Sequence, residues 1–471
     1  MAEKLTVQQQ LAVDNRGGKL LVSAAAGSGK TKVLVDRLLS YLLDRDDPAN
    51  LDDFLIITFT KAAAAELRSK IAAKLSEKIA SMPHNRHLQQ QLQRLYLAQI
   101  STVHSFCSDV LRQYAYRLDI SADFRIAEET ECEEMQLQVL NRVLDNAYET
   151  LGNDPDFQAF VDTQGLGRDD YLIPGIILKT YESARCHMDP DGWLRWCVES
   201  FDAENVQDAA ETVWGKYLLN DLKEYVQLQI SALTHCIHAA AMAEGMDKPV
   251  ALLQDTVLQL QKLCDCKTWD DVVASRAIDY GRLIFSKKCT DLELAEKIKL
   301  VRKNCKKGLD SKLSAFSDSS NRVLLDLQQS KAVANGLVML VKQFTLEYEK
   351  CKRSRRVMDY GDLEHKMLDL LLGKNRNYPT KVASEIAERF REIMVDEYQD
   401  TNEVQDAIFE VLTQKRSNCF MVGDVKQSIY QFRLADPDIF IQKYNAFAPA
   451  ETAAANEGRK VVLSCNFRSS G

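Results

Sequence analysis

The sequence predicts an α/β fold in which a parallel-sheet domain is interrupted by a large all-helical insertion. Two observations support this prediction. Short, continuous apolar runs cluster before about residue 110 and after about residue 385, and such runs are typical of strands buried on both faces of a parallel sheet. Between these regions, apolar residues recur at the i, i+3 and i+4 spacing of amphipathic helices, as in the stripe Leu218, Leu222, Val226, Ile230, Leu233 and Ile237.

The predicted strands are rich in β-branched and aliphatic residues, and polar residues follow them. They are Leu20–Val22, Phe54–Thr58, Ile393–Val395, Cys419–Val422 and Val461–Leu463. Helical patterns separate the early strands, which indicates βαβ units. Because the strands lie at both ends of the chain, we predict a first part of the sheet domain at 1–110, a helical insertion at 111–385 and a second part of the sheet domain at 386–471.

The composition is that of a large globular protein. The 471 residues are 27% charged and 46% hydrophobic, and 19 Gly and 9 Pro are too few for a low-complexity or collagen-like chain. A mean hydropathy of -0.27 and the lack of a long apolar stretch predict no membrane span. The N-terminus lacks the pattern of a signal peptide, so we expect a cytoplasmic protein whose 12 Cys are reduced thiols.

A formal net charge of -8 argues against a protein that coats nucleic acid through its total charge, but a local basic groove is compatible with it. Basic residues gather at 287–312 and again at 350–356. Each cluster either tracks the phosphates of duplex DNA or forms a solvated helix face, and interspersed acids such as Asp291 and Glu296 favour the second reading of the first cluster. The His and Cys residues at 235–238 and 264–266 lack the usual zinc-ligand spacing, so no zinc site is predicted there.

A glycine-rich segment follows the first predicted strand and precedes a helical pattern. It comprises Ala24, Ala25, Ala26, Gly27, Ser28, Gly29, Lys30 and Thr31. The glycines let backbone N–H groups turn toward phosphates, and the helix that follows adds its positive N-terminal end. Lys30 would reach the β- and γ-phosphates of ATP, and the Thr31 hydroxyl would hold Mg²⁺. Ala24 stands where such a phosphate loop usually begins with Gly.

The strand Ile393–Val395 is followed by two adjacent carboxylates, Asp396 and Glu397. In the same sheet as a phosphate loop, we expect Asp396 at the Mg²⁺ ion and Glu397 as the acceptor of a proton from the attacking water. An Asp-Glu pair at the end of a strand is weak evidence alone. Together with the phosphate loop, it predicts a site that binds and hydrolyses ATP.

Two later strands are also followed by polar residues, at the edge where ligands of open α/β sheets bind. Gln427 and Arg468 are therefore expected to sense the γ-phosphate, with Arg468 as an arginine finger. Without this context, each would be read as an ordinary surface residue.

Further segments resemble the motifs of superfamily 1 helicases of the UvrD-like branch, in the order of that family. The segment around Gln9 resembles the Q motif, Thr58–Leu67 motif Ia, Ser101–Cys107 motif Ib, Val395–Thr401 motif II, Gly423–Arg433 motif III and Asn466–Ser470 motif IV. The resemblance implies a RecA-like P-loop NTPase motor domain whose helical insertion is of the 1B type.

Within this branch, several segments resemble the AddA family of helicase–nuclease subunits from bacterial AddAB complexes. They are 104–107, 124–129, 359–365 and 425–437, some of which the RecB family shares. The resemblance implies ATP-driven 3′-to-5′ translocation on single-stranded DNA, unwinding of duplex ends and recombinational repair of double-strand breaks. It also implies two partners, double-stranded DNA and an AddB-like subunit.

The resemblance also assigns roles to individual residues. It assigns Gln9 to adenine recognition and Phe467 to stacking on the base of the nucleotide. It places these residues against single-stranded DNA: Phe59, Thr60, Thr102, His104, Tyr430, Phe432 and Arg433. Aromatic rings stack on bases of any sequence and Arg pairs with phosphate, so the residue types suit this role. Phe59 and Phe432 would otherwise be core residues.

The sequence ends shortly after the segment that resembles motif IV, so the second motor domain and the nuclease domain of the family are expected outside it. Nuclease activity is therefore not expected from these residues. Two alternatives stay open: a stand-alone repair helicase of the UvrD or Rep type, and a non-motor scaffold that binds nucleotide and docks partners. The presence of Lys30, Asp396 and Glu397 argues against the scaffold.

Overall fold

The structure is a computed structural model, and it describes residues 5–25, 27–150, 152–164, 172–286, 289, 291–424, 426, 435–454 and 457–463. The chain forms two compact units. The first unit comprises Met1–Leu144, Gly175–Asp191 and Gln343–Gly471, and the second comprises Asp145–Pro174 and Gly192–Lys342.

The first unit is built on a parallel sheet of seven strands in the order β3-β2-β6-β7-β1-β9-β8. Two further short strands, β4 and β5, form a separate parallel pair. In chain order, the strands are β1 (Leu20–Ala24), β2 (Phe54–Thr58), β3 (Gln99–Thr102), β4 (Arg125–Ile126), β5 (Val357–Met358), β6 (Glu392–Val395), β7 (Cys419–Gly423), β8 (Ala448–Pro449) and β9 (Arg459–Leu463).

The long apolar strands form because the sheet is covered on both faces. Successive side chains point to opposite faces, so both sets are buried. Leu21, Ile57 and Val395 point into one core, and the alternating neighbours Leu20 and Ile56 point into the other. The five strands predicted from apolar runs are confirmed. The sequence did not indicate β3, because this edge strand buries only every second residue and carries polar side chains between them.

Helices follow the strands. Those before the second unit are α1 (Val7–Asp14), α2 (Lys30–Leu42), α3 (Lys61–Ser81), α4 (Arg86–Arg94), α5 (Val103–Gln113), α6 (Ala115–Leu118) and α7 (Glu129–Thr150). The next are α8 (Pro155–Gln164), α9 (Ile173–Ala184), α10 (Pro190–Glu199), α11 (Val213–Ala241), α12 (Asp247–Asp265), α13 (Trp269–Ser275) and α14 (Leu292–Leu313). The last are α15 (Ser320–Arg355), α16 (Tyr360–Leu372), α17 (Lys381–Ala387), α18 (Glu403–Thr413) and α19 (Pro437–Ala446).

The described residues of the second unit form helices and the segments that connect them, with no strand. Its core lies between α11, α12 and α14, where Leu222, Val226 and Leu233 of the predicted stripe are buried. No helix in the described part of the chain is long and apolar enough to cross a membrane.

The compact units have different limits from the domains predicted at 1–110, 111–385 and 386–471, and that division stays a prediction. The difference has a physical reason. Phe106 of α5 and Leu363 and Leu368 of α16 belong to the same core as the strand residues, so both helices pack beneath the sheet. The sheet-centred unit therefore continues to Leu144, includes Gly175–Asp191 and resumes at Gln343.

Candidate nucleotide site and the adjoining DNA-facing edge

The loop between β1 and α2 has the backbone conformation that a phosphate-binding loop requires. Gly27 and Gly29 have φ angles of 77° and 86°, in the left-handed region that favours glycine. Gly29 precedes α2 and has no side chain to cap it, so the first N–H groups of the helix can serve a ligand. The Ser28 hydroxyl donates to the Ala25 carbonyl at 2.6 Å and closes the turn. Ala26 lies outside the described residues.

Gln9 packs against this loop and donates a hydrogen bond to it. Its backbone N–H and side-chain oxygen form a capping box with Thr6 at the start of α1. Its side-chain Nε2 donates to the Ser28 carbonyl at 2.9 Å, and the residue is buried. A Cβ atom at position 29 would lie 2.9 Å from Gln9 Nε2, so glycine is needed there for space as well as for conformation. The role of Gln9 in adenine recognition stays a prediction.

The two carboxylates after β6 meet the phosphate loop because β6 lies one strand away from β1, across β7. The backbone N–H of Asp396 still donates to Ile57 of β2, at 2.9 Å. Glu397 then turns into the left-handed region, with φ 53°. Its Oε2 lies 2.8 Å from Lys30 Nζ. The structure thus brings together Lys30, Asp396 and Glu397, and their roles in binding and hydrolysing ATP stay predictions.

Negative charge is concentrated at this edge. Burial and the neighbouring Glu397 raise the pKa of Asp396 to about 6. The same two causes raise the pKa of Asp400 to about 6, and its Oδ1 is buried without a hydrogen bond in the described structure. A site that disfavours its own carboxylate charges is suited to a cation.

The residues present fit Mg²⁺ held together with a nucleotide. Mg²⁺ prefers oxygen ligands and is commonly bound through one or two carboxylates and the phosphates of the substrate. Thr31 and Asp396 offer such oxygens. Among the described residues, no group of three or more His, Cys, Asp or Glu side chains is arranged to hold a metal, so the ion would depend on phosphate oxygens as well.

Sequence reasoning missed Gln399, which holds the second carboxylate in place. Its Nε2 donates to Glu397 Oε2 at 2.8 Å, and its Oε1 accepts from the backbone N–H of Asp424 at 2.9 Å. Gly423 leaves room for this contact, because a Cβ atom there would lie 2.5 Å from Gln399 Oε1. Gln399 therefore ties Glu397 to the end of β7. Its position inside the segment that resembles motif II was the available signal.

Several predicted site residues cannot be placed. Gln427, Tyr430, Phe432, Arg433, Phe467 and Arg468 lie outside the described residues. Their roles stay predictions.

The predicted DNA contacts that are described lie at the carboxyl ends of β2 and β3, which are neighbours in the sheet. Thr60 caps α3 by accepting from the Ala63 N–H at 3.0 Å, and Thr102 caps α5 by accepting from the Ser105 N–H at 3.2 Å. Phe59 is half-buried. The two threonines thus have structural roles in addition to any contact with DNA.

His104 is part of an aromatic pair that the sequence did not indicate. Its ring stacks on Tyr360, with centroids 4.4 Å apart and planes at 28°. Tyr360 is 50% exposed, and it is the first residue of α16. The pair offers a flat, accessible ring surface beside the ends of β2 and β3. The segment 359–365, which resembles AddA, was the signal that could have suggested Tyr360.

Comparison with known proteins agrees with this geometry. Residues 5–448 match the family model described as the UvrD/REP helicase N-terminal domain. A protein of Pelotomaculum thermopropionicum, named as the A subunit of an ATP-dependent helicase/nuclease, is 37% identical over 98% of this chain and 37% of its own length. Proteins of the same name from Clostridium novyi and Bacillus cytotoxicus are 34% and 35% identical, over 99% and 98% of this chain and 38% of their own lengths.

The resemblance to helicase–nuclease subunits is therefore confirmed, and the chain spans little more than a third of the length of these relatives. The matched family model covers almost all of the sequence. Its range includes the phosphate loop, the carboxylates after β6 and the aromatic pair. This chain belongs to the UvrD/REP helicase N-terminal domain family.

Proposed function

We propose that this chain is the ATP-binding motor region of an ATP-dependent DNA helicase subunit that translocates 3′-to-5′ on single-stranded DNA. The observation that carries the proposal is the 2.8 Å contact between Lys30 and Glu397 at the edge of the sheet where the aromatic pair also lies. In the proposed domain division, 1–110 and 386–471 form the RecA-like motor and 111–385 the insertion. The cofactors are ATP and Mg²⁺.

The chemistry assigned to these residues is the attack of water on the γ-phosphate of ATP. Glu397 accepts the proton of that water, and Gln399 keeps its carboxylate oriented. Lys30 offsets the charge of the phosphate oxygens, and the N–H groups at the start of α2 hold the phosphates. Bound Mg²⁺ would neutralise further phosphate charge, with Thr31 and Asp396 as its protein ligands. Gln427 and Arg468 complete the site as γ-phosphate sensors.

The ion pair between Lys30 and Glu397 gives the site two arrangements. Phosphate oxygens compete for Lys30, and when they bind it, Glu397 Oε2 loses its cationic partner and keeps the hydrogen bond from Gln399. Glu397 Oε2 can then accept a hydrogen bond from the attacking water in place of the ion pair. Nucleotide binding itself would therefore prepare the carboxylate for catalysis.

Single-stranded DNA is proposed to lie across the ends of β2 and β3. Phe59, His104 and Tyr360 supply ring surfaces on which bases stack irrespective of sequence. Thr60, Thr102, Tyr430, Phe432 and Arg433 complete the proposed contacts. The names of the relatives support a role within an ATP-dependent helicase/nuclease. We propose that this complex processes double-strand breaks in DNA. The proposed partner is an AddB-like subunit, and nuclease activity is proposed to lie outside residues 1–471.

The experiment that tests this function measures strand separation by the full-length protein. Duplexes carrying a 3′ or a 5′ single-stranded tail are incubated with Mg-ATP, and the released strand is quantified. We expect ATP-dependent unwinding of the 3′-tailed duplex and its loss in Lys30→Ala. The matched control is Lys415→Ala, which removes a lysine from an exposed ion pair with Glu388 and should unwind DNA normally. Unwinding that prefers the 5′ tail, or that survives Lys30→Ala, would contradict the proposal.

A further inference from the structure

One buried carboxylate joins three separate segments of the first unit. Glu364 of α16 is 4% exposed. Its Oε1 lies 2.9 Å from His104 Nε2 and accepts from Gln405 Nε2 at 2.6 Å. Its Oε2 accepts from Asn402 Nδ2 at 3.3 Å. Partners on α5 and at the start of α18 therefore converge on a single side chain.

One side of this junction faces the proposed DNA. His104 stacks on the half-exposed ring of Tyr360, and Tyr360 lies one helical turn before Glu364 on α16. A base that stacks on this pair would lie against the rings of Tyr360 and His104. DNA bound at this pair would therefore contact a ring that is hydrogen-bonded to Glu364.

The other side faces the nucleotide site. Asn402 follows Asp400 by two residues, and its Oδ1 caps α18 by accepting from the Gln405 N–H at 2.8 Å. Asp400 Oδ2 accepts a hydrogen bond from Gln399 Nε2, which also donates to Glu397 Oε2. The same short segment thus carries the candidate catalytic carboxylate and two of the three donors to Glu364.

The junction is charged and rigid. Burial alone would raise the pKa of Glu364, but the hydrogen bonds from His104, Gln405 and Asn402 hold that pKa below its ordinary value. A buried carboxylate that loses a donor is left with an unsatisfied charge, so its partners tend to move together.

The start of α16 is fixed as well. Lys352 Nζ lies 2.6 Å from a carboxylate oxygen of both Asp359 and Asp362, and Arg185 contacts Asp362 at 2.9 Å. Lys352 is buried, and the other three side chains are 13–17% exposed. These ion pairs anchor the start of α16, so a displacement of His104 would act on α18 more than on α16.

We propose that Glu364 is a positioning residue that couples DNA at the His104–Tyr360 pair to the carboxylates of the nucleotide site. The inference rests on the proposed function, and it adds a residue that acts through others and touches neither DNA nor ATP. Removing the coupling should lower the stimulation of ATP hydrolysis by DNA while each ligand still binds.

The test uses Glu364→Gln in the full-length protein. Glutamine keeps the size of the side chain but offers one acceptor oxygen to three donors, so at least one link is lost. Gln405→Met is a milder second variant, because it removes one donor and leaves the hydrogen bonds from His104 and Asn402 in place. Asp369→Asn is the matched control on the same helix, where the lost charge faces Arg376 and Lys366 instead.

The rate of ATP hydrolysis is measured over a range of ATP and of oligothymidylate, a single-stranded DNA probe. We expect the DNA-stimulated kcat to fall about 3- to 30-fold in both Glu364→Gln and Gln405→Met. The KM for ATP, the DNA concentration at half-maximal stimulation and the DNA-free rate should stay close to wild type, and thermal unfolding shows that each variant is folded at the assay temperature. Asp369→Asn should match wild type in every quantity.

Two results would overturn this inference and leave the proposed function intact. One is normal stimulation by DNA in folded Glu364→Gln and Gln405→Met. The other is a loss confined to DNA affinity, which would mean that Glu364 only holds His104. If the wild-type protein hydrolyses ATP at the same rate with and without DNA, the proposed function itself fails and the coupling role falls with it.

Discussion

Lys30 Nζ and Glu397 Oε2 lie 2.8 Å apart although the residues are 367 positions apart in the sequence. They meet because β1, β7 and β6 are adjacent parallel strands whose carboxyl ends share one edge of the sheet. Lys30 is 11% exposed and Glu397 36%, so a ligand that enters this edge meets the carboxylate first. The pair therefore joins the two ends of the chain at the point where phosphate would bind.

The first prediction concerns Glu397→Gln. The variant should bind Mg-ATP with nearly wild-type affinity and hydrolyse it about 10²-fold more slowly or worse, because it loses a general base. Single-turnover hydrolysis and titration of a fluorescent ATP analogue measure the two quantities separately.

Lys30→Ala is the contrasting variant for that measurement. It should weaken binding and turnover together, since it removes a charge-assisted phosphate contact. If both variants change both quantities to the same extent, the roles of the two residues are misassigned.

The second prediction concerns pH. The pKa of Asp396 in the folded protein is about 6, above its ordinary value of 3.8. Between these values the folded state binds more protons than the unfolded chain, so this contribution to stability is full below pH 3.8 and is lost as the pH rises through 6. The free energy of unfolding of wild type, relative to Asp396→Asn, should therefore fall by about 2 kcal/mol from pH 4 to pH 7.

Urea unfolding of both proteins at a series of pH values tests this prediction, because other titrating groups largely cancel in the difference. If the difference in free energy of unfolding between the two proteins stays constant or rises with pH, burial does not raise the pKa of Asp396. The Mg²⁺-dependent part of nucleotide affinity should have the opposite trend and increase through pH 6, since a metal ion competes with the proton.

The third prediction concerns a buried ion pair at the opposite edge of the sheet. Arg37 of α2 donates to both oxygens of Glu392, at 2.8 and 2.6 Å, and both side chains are fully buried. Glu392→Ala leaves the Arg37 charge buried without its partner and should lower the free energy of unfolding by about 3–5 kcal/mol.

Replacing both partners tests the reason for that loss. Arg37→Met with Glu392→Leu should recover part of the stability, because no unpaired charge remains but the carbonyls of Ala12 and Asn15 lose a donor. Glu388→Gln, which breaks an exposed pair with Lys415, should have no measurable effect. A double variant less stable than Glu392→Ala would contradict this explanation.

The fourth prediction concerns the aromatic surface. Tyr360→Ala and Phe59→Ala should each weaken binding of single-stranded DNA by about 1–3 kcal/mol. The loss should persist at high salt, because stacking does not depend on the release of counterions. Fluorescence anisotropy with an oligothymidylate at two salt concentrations measures it, and the melting temperature shows whether the variant is folded.

Lysine variants supply the comparison for the salt dependence. Lys303→Ala and Lys307→Ala, on the exposed side of α14, distinguish the two readings of the basic cluster at 287–312. A duplex track predicts weaker duplex binding at low salt and a smaller salt slope, and a solvated helix face predicts no change. A folded Phe59→Ala protein with unchanged affinity for single strands would show that this half-buried ring is a core residue.

The local part of the site was readable from the sequence, and the long-range part was not. The phosphate loop and the Asp396-Glu397 pair have short patterns, so strand context and spacing predicted them. Gln399 and Glu364 act through partners that the fold brings close, and no local pattern marks a side chain whose donors lie on other helices. Continuous apolar runs marked the strands that are buried on both faces. The edge strand β3 buries only every second residue, so it has no such run.

Mg²⁺-dependent binding of a fluorescent ATP analogue to wild type and Lys30→Ala tests the nucleotide site most directly. We expect saturable binding to wild type that weakens when Mg²⁺ is removed. We also expect a large loss of affinity in Lys30→Ala at an unchanged melting temperature. A folded wild-type protein that fails to bind the analogue, or a folded Lys30→Ala variant that binds it equally well, would contradict the assignment of the nucleotide site.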